Sequence, residues 1–384
     1  MTDSSRVSHP DRGWVARAIG RLQAESRSSE DTALVRLPLP AMPGVHLYLK
    51  DESAHPSGSL KHRLARSLFL YGLCNGWIGP STEVVDASSG STAISEAWFA
   101  RVLGVRYTAV VSDCVAPRKL REIERLGASV HAVPPADIYA AAERLAREAG
   151  GHYMDQFTYA ERATDWRGNN NIAESIFRQM AGEPHPEPAW IVTGAGTGGT
   201  SATLGRYVRL AGANTRVCVA DPEHSVFFDY YASGQVPEVA PCASLIEGIG
   251  RPRVEPSFLP HAIDRMLQVP DEASVAAIHW LESVSDRRVG GSTGTALIAA
   301  LALAAEMHEG GQPGSIVSLV GDGGERYAET YYAPEWLRDQ GLDIEPWIED
   351  LERLARSGVF DGRSELGSVE GFLARAVPTE PAPT

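Results

Sequence analysis

Ala189-Trp-Ile-Val-Thr-Gly-Ala-Gly-Thr-Gly-Gly-Thr-Ser-Ala-Thr-Leu-Gly-Arg-Tyr-Val-Arg-Leu210 changes character twice along its length. Ala189–Thr193 is a short apolar, β-branched run of strand type, Gly194–Thr200 is a glycine-rich turn, and Ser201–Leu210 has helical spacing. Such a turn presents backbone N–H groups at a helix N-terminus, where the helix dipole also favours negative charge, so it suits a phosphate. Gly194, Gly196 and Gly199 also match G-x-G-x-x-G, and Asp221 follows at a later strand end about 20 residues on. That is the pattern of a dinucleotide site in an NAD-dependent dehydrogenase. A tight strand–helix turn with no ligand is the third reading.

The flanking sequence repeats the alternation. Strand-like runs fall at 82–86, 107–111, 130–133, 190–193, 217–220 and 315–319. Helix-like stretches fall at 92–103, 117–126, 138–149, 201–210, 272–284 and 295–307, several closed by Gly104, Gly127 or Gly150 where a left-handed residue ends a helix. Strand–helix alternation predicts parallel sheets covered by helices on both faces. Two series, about 82–133 and 190–320, predict two α/β units, with 155–177 as the crossing between them. No internal repeat is present. From Pro346 onward there is one amphipathic piece, 347–355, and the end VPTEPAPT has a disordered composition.

The balance of charge narrows the partners. The chain has 384 residues with 49 acidic and 35 basic side chains, a formal charge of −14. Nucleic acid and anionic membrane need a Lys/Arg excess, so neither is expected as the main partner. The start, MTDSSRVSHPDRGW, has no apolar core of signal-peptide type, and the most apolar helical stretch, 296–305, is far shorter than a membrane span. Cys74, Cys114, Cys218 and Cys242 are scattered without metal-ligand spacing, so reduced, mostly buried thiols in a cytoplasmic protein are expected, and no metal site. Asp51-Glu52 reads as a strand end rather than a metal pair. Only three lysines accompany 32 arginines.

Three further segments carry chemistry. Pro56-Ser-Gly-Ser-Leu-Lys-His-Arg63 places Lys61 at a helix start after small, flexible residues, where an amine reaches a cleft and can form a Schiff base. Lys50 and Lys119 read as surface lysines. Asp86-Ala-Ser-Ser-Gly-Ser-Thr-Ala93 is again strand, hydroxyl-rich loop and helix, a place for a carboxylate, although Ser or Thr at an N-cap is ordinary. Gly290-Gly-Ser-Thr-Gly-Thr295 before the 296–305 helix has the same ambiguity.

Taken in order, these four segments resemble the fold-type II, pyridoxal-phosphate-dependent β-family, which includes cysteine synthase and cystathionine β-synthase. The likeness covers about residues 33–335. The family's P-x-G-S-x-K-x-R motif resembles Pro56–Arg63 and implies Lys61 as the catalytic, cofactor-bound lysine. Its T-S-G-N-T substrate-carboxylate loop resembles Ser88, Ser89, Gly90, Ser91 and Thr92, with Ser91 also near the cofactor. Its G-T-G-G-T phosphate loop is identical at Gly196, Thr197, Gly198, Gly199 and Thr200. Gln156-Phe157 resembles the family's substrate-side glutamine, E-G-I-G recurs at Glu247–Gly250 and implies Gly248 at the cofactor, and Ser292 resembles the serine facing the pyridine nitrogen. G-E-R-Y recurs at Gly324–Tyr327. Two residues depart from the pattern: Ser91 stands where asparagine is usual, and His62 where aspartate usually follows the lysine.

The resemblance implies two doubly wound sheet domains with pyridoxal 5'-phosphate in the cleft between them. It implies a smaller domain over 47–155 carrying the carboxylate loop, a larger one over 14–46 plus 156–345 carrying the phosphate loop, and an extension over 346–384. Gly58–Ala65, Ala87–Ala93, Asp165–Ser175 and Gly248–Phe258 are similar to the L-cysteine desulfhydrase branch. That branch implies β-elimination on L-cysteine giving hydrogen sulfide, pyruvate and ammonia, by a homodimer acting on a small amino acid. β-Replacement, making cysteine or another β-substituted alanine, is the alternative within the family, and the dehydrogenase is the alternative outside it.

Overall fold

The computed structural model describes residues 11–28, 31–88, 90–115, 117–237 and 244–359. In chain order the first elements are α1 (Arg12–Ser28), β1 (Leu34–Leu37), β2 (Val45–Asp51), α2 (Lys61–Cys74), β3 (Glu83–Ala87), α3 (Ser91–Leu103) and β4 (Arg106–Ser112). Then come α4 (Pro117–Arg125), β5 (Ser129–Val133), α5 (Ile138–Glu148), β6 (His152–Tyr153), α6 (Gln156–Ala163) and α7 (Ile172–Met180). The chain continues through β7 (Trp190–Gly194), α8 (Gly199–Ala211), β8 (Arg216–Pro222), α9 (Phe227–Ser233) and β9 (Arg265–Val269). It closes with α10 (Asp271–Ser285), α11 (Gly291–Glu309), β10 (Gly314–Val320), α12 (Pro334–Gln340) and α13 (Glu345–Ser357).

These elements form two compact units, 11–28 with 61–163 and 31–60 with 164–359. The smaller unit holds a parallel sheet in the order β5-β4-β3-β6. Helices α1, α2 and α3 cover one face through Leu22, Phe69 and Phe99, and α5 covers the other with Ala141, Ala142 and Ala146 against Val85 and Val110. Helices α1 and α6 group here and 47–60, with β2, groups with the larger unit, whereas the sequence expectation puts 47–155 in the smaller unit and 14–46 with 156–345 in the larger; Ala18 and Leu22 of α1 share the core of α2 and α3.

The larger unit holds a sheet in the order β1-β2-β10-β7-β8-β9, parallel except for β1 against β2. Helix α11 is buried on nearly every side, as an apolar helix without a polar stripe must be. It shares its core with α10 and with Trp347, Leu351 and Leu354 of α13, so the amphipathic piece of the expected extension is core structure. On the opposite face Ile172, Ile176, Leu204 and Val208 of α7 and α8 pack against Ile191, Val217 and Val317. The VPTEPAPT end lies outside the described residues.

Both sheets have a topological switch point. In the smaller unit the strand order runs β3, β4, β5 to one side and returns to β6 on the other side of β3. In the larger it runs β7, β8, β9 and returns to β10 beyond β7. Loops leaving the carboxyl ends of two such strands diverge and open a crevice, which is where open α/β sheets bind ligands. The places to search are therefore the loops after β3 and β6, and after β7 and β10.

Candidate active site

In the larger unit, β7 ends at Gly194 and α8 starts at Gly199, so the first-turn N–H groups of α8 face the crevice side of the sheet. Gly198 is the N-cap with φ +88°, and a Cβ there would lie 2.5 Å from Phe258 Cα. Thr197 Oγ1 accepts the Gly199 N–H at 3.2 Å. A Cβ on Gly196 would meet the Gly248 carbonyl at 2.3 Å, and the Gly250 N–H donates to the Ala195 carbonyl at 2.9 Å. The Glu247–Gly250 turn thus seats directly on the glycine loop, uniting two segments that are some 50 residues apart in sequence. Gly196 and Thr200 are partly exposed, while Thr197, Gly198 and Gly199 are buried. This is a glycine-lined cradle with two threonine hydroxyls at the positive end of a 13-residue helix. It fits a phosphate.

The strand on the other side of the switch point brings up Ser292. It sits in the first turn of α11, close enough to Gly321 that a Cβ there would lie 2.9 Å from Ser292 Oγ. Gly321 N–H donates to Thr293 Oγ1 at 3.2 Å, and Leu60 N–H donates to the Gly321 carbonyl at 2.8 Å. Arg326 Nη2 donates to the Ser57 carbonyl at 2.8 Å. The Pro56–Leu60 segment is therefore pinned to the turn after β10, and the next residue, Lys61, begins α2 of the smaller unit.

In the smaller unit, Lys61 is half-buried at the first position of α2. The loop after β3 is held at its base: Ser88 N–H donates to the Val110 carbonyl at 3.1 Å, and Ser88 Oγ accepts the Ala93 N–H at 3.2 Å. Gly90 is the N-cap of α3, Ser91 is half-buried and Thr92 buried. Ser89 lies outside the described residues. Gln156, first residue of α6 after β6, reaches the same loop from the other side of the switch point. Its Nε2 donates to Asp86 Oδ2 at 2.9 Å and to the Ala87 carbonyl at 3.3 Å. The structure thus joins Gln156 to the root of the Ser88–Thr92 loop, 70 positions away in sequence.

Several readings from sequence need correction. Lys50 is fully buried rather than at the surface: its Nζ donates to the Thr32 carbonyl at 2.6 Å and Gln179 Oε1 at 2.8 Å, with Asp31 Oδ1 at 3.4 Å. Strand β2 is interior, paired with β1 and β10, so its polar end has no route to water. Cys74 and Cys114 are exposed, one at the end of α2 and the other in a turn after β4, and only Cys218 is buried among the described cysteines. Cys242 lies outside the described residues. Asp221, the ribose-binding acid of the dinucleotide reading, is fully buried and accepts the Phe228 N–H at 3.0 Å, and burial pushes its carboxyl up to about 7. It serves the foot of α9.

Asp51 pairs with Arg287 and caps Ser53, while Glu52 accepts from Thr32 Oγ1 at 2.6 Å; both are committed to internal contacts. His62 is core, with Nε2 3.0 Å from Glu25 Oε1 and its ring against Trp98 and Phe99, so it ties α2 to α1 and α3. Phe227 stacks on Phe258 at 4.1 Å inside the larger unit.

Pattern reading passed over one buried cluster. Tyr107 Oη donates to Glu96 Oε2 at 2.7 Å, and Glu96 and Asp86 are both fully buried. Burial pushes Asp86 up to about 7 and, with the Asp86 charge, raises Glu96 well above the ordinary carboxylate range. A glutamate in the middle of the α3 pattern Ala93, Ile94, Ala97, Phe99, Ala100 was the signal available in sequence.

Comparison with known proteins agrees with this geometry. A family model described as pyridoxal-phosphate dependent enzyme matches residues 26–322. An L-cysteine desulfhydrase of Mycobacterium tuberculosis is 58% identical over 337 residues, covering 86% of this chain and 92% of the relative. A cysteine synthase of Dictyostelium discoideum is 26% identical, covering 82% of this chain and 85% of that one. Among solved structures, an O-ureido-L-serine synthase superposes with a TM-score of 0.70 at 25% identity, covering 80% of this chain and 93% of that one. A phosphate-type loop at one switch point, a lysine at a helix start and a hydroxyl loop at the other switch point thus occur together in a chain that belongs to the pyridoxal-phosphate-dependent enzyme family.

Proposed function

We propose that the protein is a carbon–sulfur lyase that eliminates hydrosulfide from L-cysteine, with water consumed to give hydrogen sulfide, pyruvate and ammonia. The observation that carries this reading is 58% identity to an L-cysteine desulfhydrase over 86% of the chain. The cysteine synthase likeness is 26%.

Each residue then has a task. Pyridoxal 5'-phosphate, when bound, supplies an electron sink for the carbanion at the substrate Cα. Gly196, Thr197, Gly198, Gly199 and Thr200 hold its phosphate with backbone N–H groups and hydroxyls, and Gly248 backs that loop. Ser292 would offer the ring nitrogen a neutral hydroxyl, and Ser91 would be a further contact of the cofactor. Lys61 would hold the cofactor through Nζ, and with substrate bound the same amine would be the base that takes the Cα proton. Ser88, Ser89, Gly90, Ser91 and Thr92, with Gln156, form the substrate-carboxylate site, which sets the Cα–H bond in line for that transfer. The smaller unit thereby carries the substrate loop and the larger one the phosphate loop.

We also assign the protein to the cytoplasm as a homodimer. None of the three described cysteines is in a disulfide, which fits a reducing compartment, and no described helix is long and apolar enough to cross a membrane. The dimer follows the family.

The purified protein should be yellow, and borohydride should abolish the visible band while tagging Lys61. With L-cysteine it should release sulfide and pyruvate in equal amounts. Yellow protein that released no sulfide from L-cysteine, yet formed a β-substituted alanine from O-acetylserine and a thiol, would move the assignment to β-replacement. Colourless protein that bound NAD would overturn the family chemistry.

A further inference from the structure

Gly324–Tyr327 opens the segment between β10 and α12, and three tyrosines there, Tyr327, Tyr331 and Tyr332, take no part in the chemistry assigned above. Their hydroxyls go to three separate stretches of the larger unit. Tyr327 Oη donates to Asp322 Oδ2 at 2.8 Å, in the turn after β10. Tyr331 Oη donates to the Leu245 carbonyl at 2.7 Å and accepts the Glu247 N–H at 2.8 Å. Tyr332 Oη donates to the Val289 carbonyl at 2.8 Å and accepts the Val289 N–H at 2.9 Å, three residues before Ser292. A phenol both donates and accepts, so each of these two hydroxyls ties a backbone carbonyl and a backbone N–H at once. Neither Leu245–Gly250 nor Val289 is part of a sheet strand, and side-chain hydroxyls there do the work that a ladder does elsewhere.

The rings fill the space over the same stretches. Tyr327 and Tyr331 stack with centroids 4.9 Å apart, and both are buried. A Cβ on Gly290 would lie 2.9 Å from Tyr327 Cε2, and one on Gly291 would lie 2.9 Å from Tyr331 Cε2. Both glycines ahead of Ser292 are thus seated against the stacked pair. The pair is itself held from behind: His279 Nε2 of α10 donates to the Tyr331 carbonyl at 2.8 Å, and Trp336 of α12 meets the Tyr331 ring edge-on at 5.4 Å. From Tyr331 the contact passes on to the phosphate loop, because the turn it grips places the Gly250 N–H on the Ala195 carbonyl at 2.9 Å.

We infer that Tyr331 and Tyr332 are positioning residues that set the two ends of the cofactor site separately. Tyr331 acts through the Leu245–Gly250 turn on the glycine loop that holds the phosphate, and Tyr332 acts through Val289 on Ser292. The inference rests on the proposed cofactor roles of Gly196–Thr200 and Ser292. Burial pushes Tyr332 up to about 12 and raises Tyr331 well above the ordinary phenol range, so both hydroxyls keep the proton they donate.

Phenylalanine at each position keeps the ring and removes the hydroxyl alone. In the full-length protein Tyr331→Phe should weaken cofactor binding about tenfold and leave the wavelength of the visible band unchanged. Tyr332→Phe should move that wavelength and lower kcat for sulfide release about tenfold, with KM within about twofold and cofactor affinity within about threefold of wild type. Tyr48→Phe is the control for loss of a buried phenol, since Tyr48 Oη donates to Glu183 Oε2 at 2.7 Å and serves none of these stretches. It should lower the melting temperature yet bind cofactor as the wild type does. Loss of affinity and kcat together in both variants, in proportion to their melting temperatures, would overturn the inference, as would wild-type behaviour in both. Should Tyr331→Phe fail to fold, Tyr332→Phe decides alone by its band and its kcat. A colourless wild type would refute the cofactor assignment instead, and amide hydrogen exchange would still report the tyrosines. Residues 245–250 should then exchange faster in Tyr331→Phe only and 289–293 in Tyr332→Phe only; unchanged exchange in both would sink the inference.

Discussion

Gly198→Ala probes the phosphate loop at the position where the structure predicts the largest effect. Gly198 has φ +88°, and a methyl group there would lie 2.5 Å from Phe258 Cα and 2.6 Å from the Ser257 carbonyl oxygen. Both obstacles are backbone atoms, so no rotamer change relieves them. The left-handed backbone costs an L-residue about 1–2 kcal/mol. Overpacking against fixed atoms adds about 1–3 kcal/mol. Gly212, the C-cap at the far end of the same helix, supplies the control, with φ +63° and open space where the methyl would go. Gly212→Ala should carry only the first cost, so the two variants differ by about 1–3 kcal/mol. In a unit of this size each kcal/mol shifts the melting temperature by roughly 2–4 °C, which places Gly198→Ala roughly 2–12 °C below Gly212→Ala. Calorimetry of the two apoproteins measures that gap. Seating the methyl also pushes the loop off Phe258, so its N–H groups leave their positions and cofactor affinity should fall at least tenfold, about 1.4 kcal/mol. Gly212→Ala should bind cofactor as the wild type does. Equal melting temperatures, or wild-type cofactor affinity in Gly198→Ala, would refute the cradle as described.

Lys61→Ala should lose the visible band and at least about 10³-fold in sulfide release, because a positioned proton-transfer group typically contributes 10²–10⁴ and the covalent tether is lost as well; full activity in the variant would exclude Lys61 as the amine. Asp221, pushed up to about 7 by burial, contributes stability that is fully present below about pH 4 and is lost as the pH rises through about 7. Asp221→Asn should therefore gain on the wild type in urea titrations between pH 4 and 7 and hold a constant gap above that; a gap independent of pH would show that folding does not shift this acid, and a gap still growing above pH 7 that it stays protonated in the folded state. Cys74 and Cys114 should be alkylated by iodoacetamide in the native protein, whereas Cys218, buried with its thiol pushed up to about 12, should react only on unfolding. Peptide mass spectrometry reads each site, and rapid labelling of Cys218 would contradict its burial.

Much of the site was legible because its parts are local. A strand, a glycine turn and a helix must be consecutive to make a phosphate loop, so Gly194–Thr200 declares itself in sequence, as do the lysine at the start of α2 and the hydroxyl loop before α3. Strands β1, β2, β6 and β9 were not flagged. β6 has only two residues, too short for any period, and β2 carries Lys50, which reads as a surface lysine. What buries Lys50 comes from elsewhere: Leu34 and Leu319 flank it in the sheet, and Asp31, Thr32 and Gln179 receive its ammonium. No window around residue 50 contains those partners.

Asp86, Glu96, Tyr107 and Gln156 show the same division. By itself the sequence determined the alternation of strands and helices, the loop chemistries and the family, since each depends on residue type at short spacing. Only the tertiary structure decided that a glutamine after β6 bonds an aspartate at the end of β3, and that a glutamate on α3 is buried against a tyrosine of β4, because strand order places β3 between β4 and β6. Acidity follows from that assembly: Asp86 and Glu96 are ordinary carboxylic acids as free side chains, and folding raises both because it removes water from around them.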